Sequence, residues 1–172
     1  MLKWIGAFCI VLACTLTGFH FARRLSDRTA QLRSLLMCFQ MLETEITYGS
    51  TPLETAFAKI SRQDPGPIGR LFAACSHYLH HLDGVTTFEC WQKAMNEVTP
   101  SLALKKSEQE WLRHVGKTIG TSDREDQRKH IRLLMTHLEK AEQEARDEQQ
   151  KHEKMYKTLG VLSGLIIVIL ML

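Results

Sequence analysis

The sequence predicts an all-α protein, a six-helix bundle with an apolar membrane segment at each end. Three observations carry this prediction. Apolar residues recur at threes and fours through the middle of the 172-residue chain, no stretch alternates as a strand would, and helix-start signals punctuate the pattern. The two ends, Trp4 to Phe21 and Leu159 to Leu172, contain no Asp, Glu, Lys or Arg.

The N-terminal run of about 18 residues spans roughly 27 Å as a helix, close to the hydrocarbon thickness of a bilayer. Val11-Leu12-Ala13-Cys14 has the look of a lipoprotein cleavage box, and Lys3 before an apolar run also suits a signal peptide. Apolar character continues past Cys14 through Leu16, Phe19 and Phe21, so the expectation is an uncleaved anchor with His20 at its interfacial edge. The C-terminal run, about 14 residues or roughly 21 Å, is short for a span unless Met155 to Thr158 add length and Lys157 snorkels outward. Arg23, Arg24, Arg28 and Arg33 follow the first run, and Lys151, Lys154 and Lys157 precede the second. By the positive-inside rule both flanks belong in the cytoplasm. The expected organisation is an anchor over 1–22, a cytoplasmic helical domain over 23–157 and a second membrane segment over 158–172.

Within that domain, Leu25, Leu32, Leu35, Leu36, Phe39, Leu42 and Ile46 form one buried stripe that stops at Gly49. Thr51-Pro52-Leu53-Glu54 reads as a capping box with a proline in the first turn, opening a helix with Leu53, Phe57 and Ile60 inward. A turn at Arg62-Gln63-Asp64-Pro65-Gly66 leads to a third helix from Pro67, carrying Ile68, Leu71, Phe72, Cys75, Leu79 and Leu82 as far as Gly84. Thr86 with Glu89, Ser107 with Glu110, and Ser122 with Glu125 are the expected capping boxes of helices four, five and six. Helix four presents Phe88, Trp91 and Ala94, and helix five presents Trp111, Leu112 and Val115. The sixth buries Ile131, Leu134, Met135, Leu138, Ala141 and Ala145, then turns almost wholly polar, with Glu142–Arg146, Asp147–Lys151 and Glu153–Lys157 spaced for i to i+4 pairing. No glycine or proline interrupts it before Gly160, so it should enter the membrane as a stalk without a joint.

Composition narrows function. A net charge of +3 lacks the strongly basic balance of a nucleic-acid binder, and the 22 basic and 19 acidic residues lie almost entirely between the apolar ends. The five cysteines, at 9, 14, 38, 75 and 90, show no C-x-x-C spacing, which favours a reducing compartment over a disulfide framework or zinc site. Gly116-Lys117-Thr118 imitates part of a phosphate loop, but Trp111 stands where that loop requires glycine, and no strand precedes it. His77 and His81 have the spacing to grip a metal, yet no third ligand accompanies them, and histidines near a helix C-terminus suit the dipole. The acidic residues of the last helix alternate with cations as a solvated face does. No catalytic constellation, cofactor site or metal site emerges, and the chain reads as a non-enzyme.

Several long blocks carry a resemblance that covers the whole chain. They are Met1 to Gly6, Ala13 to Phe19 leading into Arg23-Arg24-Leu25-Ser26, Gln40 to Ile46 with Tyr48-Gly49, Gly116 to Gln127, and Lys154 to Leu162. In these the chain closely resembles the stage III sporulation protein AB family of endospore-forming bacteria. The resemblance implies a component of the channel between mother cell and forespore, in the mother-cell membrane around the forespore. It also implies a soluble domain similar to the F domain of type II secretion platforms, beside a cytoplasmic secretion-type ATPase (stage III sporulation protein AA-like) and other stage III channel proteins. One domain copy stands here where those platforms carry two. Gly116, Gly120, Asp123 and Gln127 are the residues expected to fix a turn and present a polar corner to a partner. A membrane-anchored helical signalling module is the alternative, although it would need a sensor outside the membrane that the sequence does not supply.

Overall fold

A computed structural model describes the chain except for residues 1, 50, 82–83, 121–122 and 172; within the helices, the side chains of 2–12, 14, 15, 21, 153, 154, 156, 157, 159–161 and 163–171 also lie outside the described set. Among the described residues there are six α-helices, one short 3-10 turn at Thr99–Ser101 and no strand. The helices are α1 (Leu2–Tyr48), α2 (Leu53–Ser61), α3 (Pro67–His81), α4 (Thr87–Val98), α5 (Lys106–Val115) and α6 (Arg124–Met171). The chain divides into two compact units, one made of 1–29 and 143–172, the other of 30–142.

The second unit holds the core. Leu32, Leu35, Phe39 and Leu42 of α1 are fully buried, as the spacing predicts, together with Phe57 and Ile60 of α2, Ile68, Leu71 and Phe72 of α3, and Trp91 of α4. Four of these rings form one cluster: Phe39, Phe57, Phe72 and Trp91 meet in tilted or edge-on pairs with centroids 5.5 to 6.4 Å apart. Aromatic quadrupoles favour that geometry over face-to-face stacking. The indole N–H of Trp91, which would be an orphan donor in such a core, donates to the Leu112 carbonyl at 2.8 Å and so joins α4 to α5. Buried Gln31 performs a similar task, accepting from the Ala103 amide at 2.8 Å and donating to the Ser101 carbonyl at 3.4 Å. On the flank of this unit, α1 is tied to α6 by ion pairs of Arg33 with Glu142, at 2.9 Å, and of Glu43 with Arg132.

In the other unit the first part of α1 accompanies the last part of α6. Arg28 is only 5% exposed and its guanidinium meets Glu148 at 2.7 Å. Both long helices continue into the apolar ends: α1 has no break between Leu2 and Tyr48, and α6 runs through Gly160 to Met171. Among the described residues no helix is long and apolar enough to cross a membrane. Most side chains of the two apolar ends, that of Cys14 among them, lie outside those residues.

The helix starts differ from the expected boxes in instructive ways. Thr86 and Glu89 form the predicted reciprocal box on α4, with bonds of 3.3 and 2.9 Å. Thr51 does not cap α2. Its hydroxyl donates instead to Glu45 at 2.9 Å, and Pro52 occupies the cap position without a side-chain bond. Helix α5 starts earlier than Ser107 predicts, because burial of Leu102 and Leu104 ends the extended segment at Lys105, where Glu108 reaches back to the Lys105 amide at 2.7 Å. For α6 the cap is Asp123, which accepts from the Asp126 amide at 2.8 Å; Ser122 lies outside the described residues, as does Leu82 near the end of α3.

Candidate functional site

The block from Gly116 to Gln127 links α5 to α6, and its residues have separate jobs. Gly116 is buried and right-handed, with φ −58°, so backbone freedom is not why glycine stands there. A Cβ on it would lie 2.2 Å from Cδ1 of Trp91, inside the space the indole occupies. Gly120 is different: its φ of +83° is left-handed, a conformation that favours glycine, and a Cβ would also come within 2.6 Å of the Thr87 hydroxyl oxygen. Asp123 spends its carboxylate on the α6 cap, where an anion also suits the helix dipole.

Gln127, one turn into α6, borders a cleft of about 160 Å³ together with Gly120 and Arg124. The opposite wall comes from the end of α1, through Glu45, Ile46 and Gly49, and the remaining side from Thr51, Leu53 and Ala56 around the start of α2. Two blocks that carry the sequence resemblance, one ending at Gly49 and one starting at Gly116, therefore meet around a single cavity. Of the four expected residues, Gly120 and Gln127 line it, whereas Gly116 and Asp123 hold up the structure behind it.

Sequence reasoning missed Arg124, Glu45, Ile46 and Leu53. A signal existed for Glu45 and Ile46 in one resembling block and for Arg124 in another, but nothing local ties the two blocks together. Among the described residues Glu45 is the one carboxylate that lines the cleft. Bonds from Thr51, at 2.9 Å, and from Lys59, at 3.1 Å, hold its carboxyl below the usual carboxylate range.

Chemistry elsewhere resolves into packing. The amides of Lys117, Thr118 and Ile119 bond to the carbonyls of His114 and Val115 at 3.0 to 3.1 Å, so Gly116-Lys117-Thr118 is a helical exit whose N–H groups are turned inward. A phosphate loop needs those groups pointing at its ligand. His77 and His81 stack with centroids 4.3 Å apart, Nδ1 of His81 faces the His77 carbonyl oxygen at 3.0 Å, and His80 pairs with Glu54 at 2.9 Å. Among the described residues no group of three or more His, Cys, Asp or Glu is arranged to hold a metal. Cys38, Cys75 and Cys90 are free, buried thiols; burial pushes Cys38 up to about 11 and Cys75 up to about 12. Of the flanking cations, Arg23, Arg24 and Lys151 are exposed, Arg28 is buried in its pair with Glu148, and the side chains of Lys154 and Lys157 lie outside the described residues.

Comparison with known proteins gives a consistent result. The family described as stage III sporulation protein AB matches residues 3–172. The stage III sporulation protein AB of Bacillus subtilis (strain 168) is 44% identical over 173 residues, covering all of both chains. A solved structure of stage III sporulation protein AB (SpoIIIAB) superposes with a TM-score of 0.68 at 41% identity, over 73% of this chain and 98% of that one. The chain belongs to the stage III sporulation protein AB family, and its role is in sporulation.

Proposed function

We propose that this protein is a non-catalytic membrane platform of a secretion-like channel between mother cell and forespore, and that its helical domain docks a cytoplasmic secretion-type ATPase. The observation that carries the reading is continuity: α1 and α6 each unite a buried stripe of the helical core and an apolar terminal segment in one unbroken helix. A domain joined in this way transmits force to its anchors, which a flexible linker does not. The exposed cations Arg23, Arg24 and Lys151 at the inner ends of the apolar runs support a cytoplasmic position for the domain. Resemblance to the type II secretion F domain supplies the ATPase, of the stage III sporulation protein AA-like kind. The inward-turned amides at Lys117 to Ile119 favour a partner, not this chain, as the nucleotide-binding component. On this reading the protein sits in the mother-cell membrane surrounding the forespore, beside the other stage III channel proteins.

The topology is tested with a cysteine at exposed Gln63, in a chain whose Cys9 and Cys14 are replaced by serine. A membrane-impermeant maleimide should leave it unlabelled in intact cells and label it after permeabilisation. Labelling from outside the intact cell refutes the arrangement. The partner is tested by co-purifying the full chain, in detergent, with the secretion-type ATPase of the same organism; no retention of the ATPase refutes the docking role.

A further inference from the structure

The cleft between the end of α1, the start of α2 and the start of α6 has two chemically distinct parts. Its floor includes Ile46, Leu53 and Ala56, and Ala56 is nearly fully buried, so small size at that position leaves the space open. A cavity of about 160 Å³ is on the scale of one side chain, not a large cofactor. Its mouth is cationic. Arg124 is exposed, and no hydrogen bond or ion pair engages it among the described residues. It stands in the first turn of α6, where the dipole favours anions, so helix stability gives no reason for a cation there.

Among the described residues none of the neighbouring anions pairs with it. At about 100° per residue, Glu125 and Asp126 project roughly 100° and 200° around the helix from Arg124, while Gln127 returns to the cleft side. Glu125 faces Arg128 at 3.8 Å, and Asp123 is occupied by the cap. Across the cleft, Oε1 and Oε2 of Glu45 are already taken by Lys59 and Thr51. The free electrostatic offer at the mouth is thus a guanidinium beside a helix N-terminus, above an apolar floor.

We propose that this cleft is the docking pocket of the platform, receiving one aliphatic side chain of a partner protein while Arg124 pairs with a carboxylate of the same partner segment. The proposal rests on the docking role above, whose ATPase is the partner, and it commits to a segment that is both aliphatic and acidic. Gln127 and Gly120 then act by shape, Gln127 as a polar wall and Gly120 by keeping the turn clear of the opening.

The test measures binding of the purified ATPase to the full-length chain in detergent. Arg124→Glu should weaken binding about tenfold or more and remove most of its salt dependence. The same substitution places an anion at a helix N-terminus, so thermal unfolding should be unchanged or raised, which separates lost docking from lost folding. Leu53→Gln should also weaken binding, whereas Lys129→Glu, exposed and roughly 140° around the helix from Arg124, should leave it within about twofold. Wild-type affinity in Arg124→Glu and Leu53→Gln overturns the pocket while the docking role stands. Absence of binding by the wild-type chain overturns the docking role, and the pocket with it. Self-association that Arg124→Glu abolishes, with ATPase binding untouched, assigns the cleft to a second copy of this chain and likewise overturns the proposal.

Discussion

Gly116 owes its identity to a residue on another helix. Its backbone is ordinary, and the space a side chain would need is filled by the Trp91 indole, itself held by the bond to Leu112. Gly116→Ala must therefore displace the indole from the centre of the aromatic cluster. Overpacking of this kind costs about 1–3 kcal/mol, so the thermal midpoint of the full chain should fall. Pairing the substitution with Trp91→Phe makes room and should recover part of the loss, since contacting residues couple. Strict additivity of the two substitutions would show that the glycine is needed for some other reason. Gly120 is the opposite case, where left-handed backbone and the Thr87 hydroxyl both resist a side chain.

At the scale of helices, short carboxylate links set where elements begin. Glu89 closes the α4 box with the Thr86 amide, and Glu45 ties the end of α1 to Thr51 before α2 and to Lys59 within it. In Glu45 the Thr51 hydroxyl is the larger influence and Lys59 the next; in Glu89 the Thr86 amide leads. Both carboxyls are held below their ordinary value of 4.5. A depressed folded-state value means that the charged form favours folding. This stabilisation is complete above the ordinary value and is lost as pH falls through the depressed one. The thermal midpoint should therefore drop as pH is lowered below 4.5, and the Glu45→Gln, Glu89→Gln double variant should show a flatter acid limb. An acid limb identical to that of the wild type would remove these two links from the account.

For the molecule as a whole, the unbroken course of α6 from Arg124 to Met171 offers a test of the proposed platform role. A Gly-Ser-rich insertion near Gln149 keeps the helical core and the apolar end but makes the connection compliant. An insertion of two helical turns at the same point keeps it stiff while adding about 11 Å. If the platform transmits force, the compliant variant should accumulate normally in membranes yet fail to support spore formation. Wild-type sporulation with the Gly-Ser insertion would reduce α6 to a tether.

What the sequence determined by itself was set by neighbours within a few residues. The threes-and-fours spacing of Leu32, Leu35, Phe39 and Leu42 marked the buried face of α1, and Thr86 with Glu89 marked the start of α4, because helical turns and caps close over such spans. The unbroken polar stretch of α6 was legible for the same reason. Tertiary structure decided whatever depended on remote partners. Thr51 had the right spacing to cap α2, but packing placed a carboxylate of α1 within reach of its hydroxyl. Likewise Leu102 and Leu104, by being buried, moved the start of α5 ahead of Ser107. The cleft is the clearest instance. Glu45 and Ile46 lie far along the chain from Arg124 and Gln127, and only the volume that the core fills brings the end of α1 beside the start of α6. Periodicity says which face of a helix is buried; it does not say what lies against that face, because many partners satisfy the same apolar stripe, and shape alone selects one.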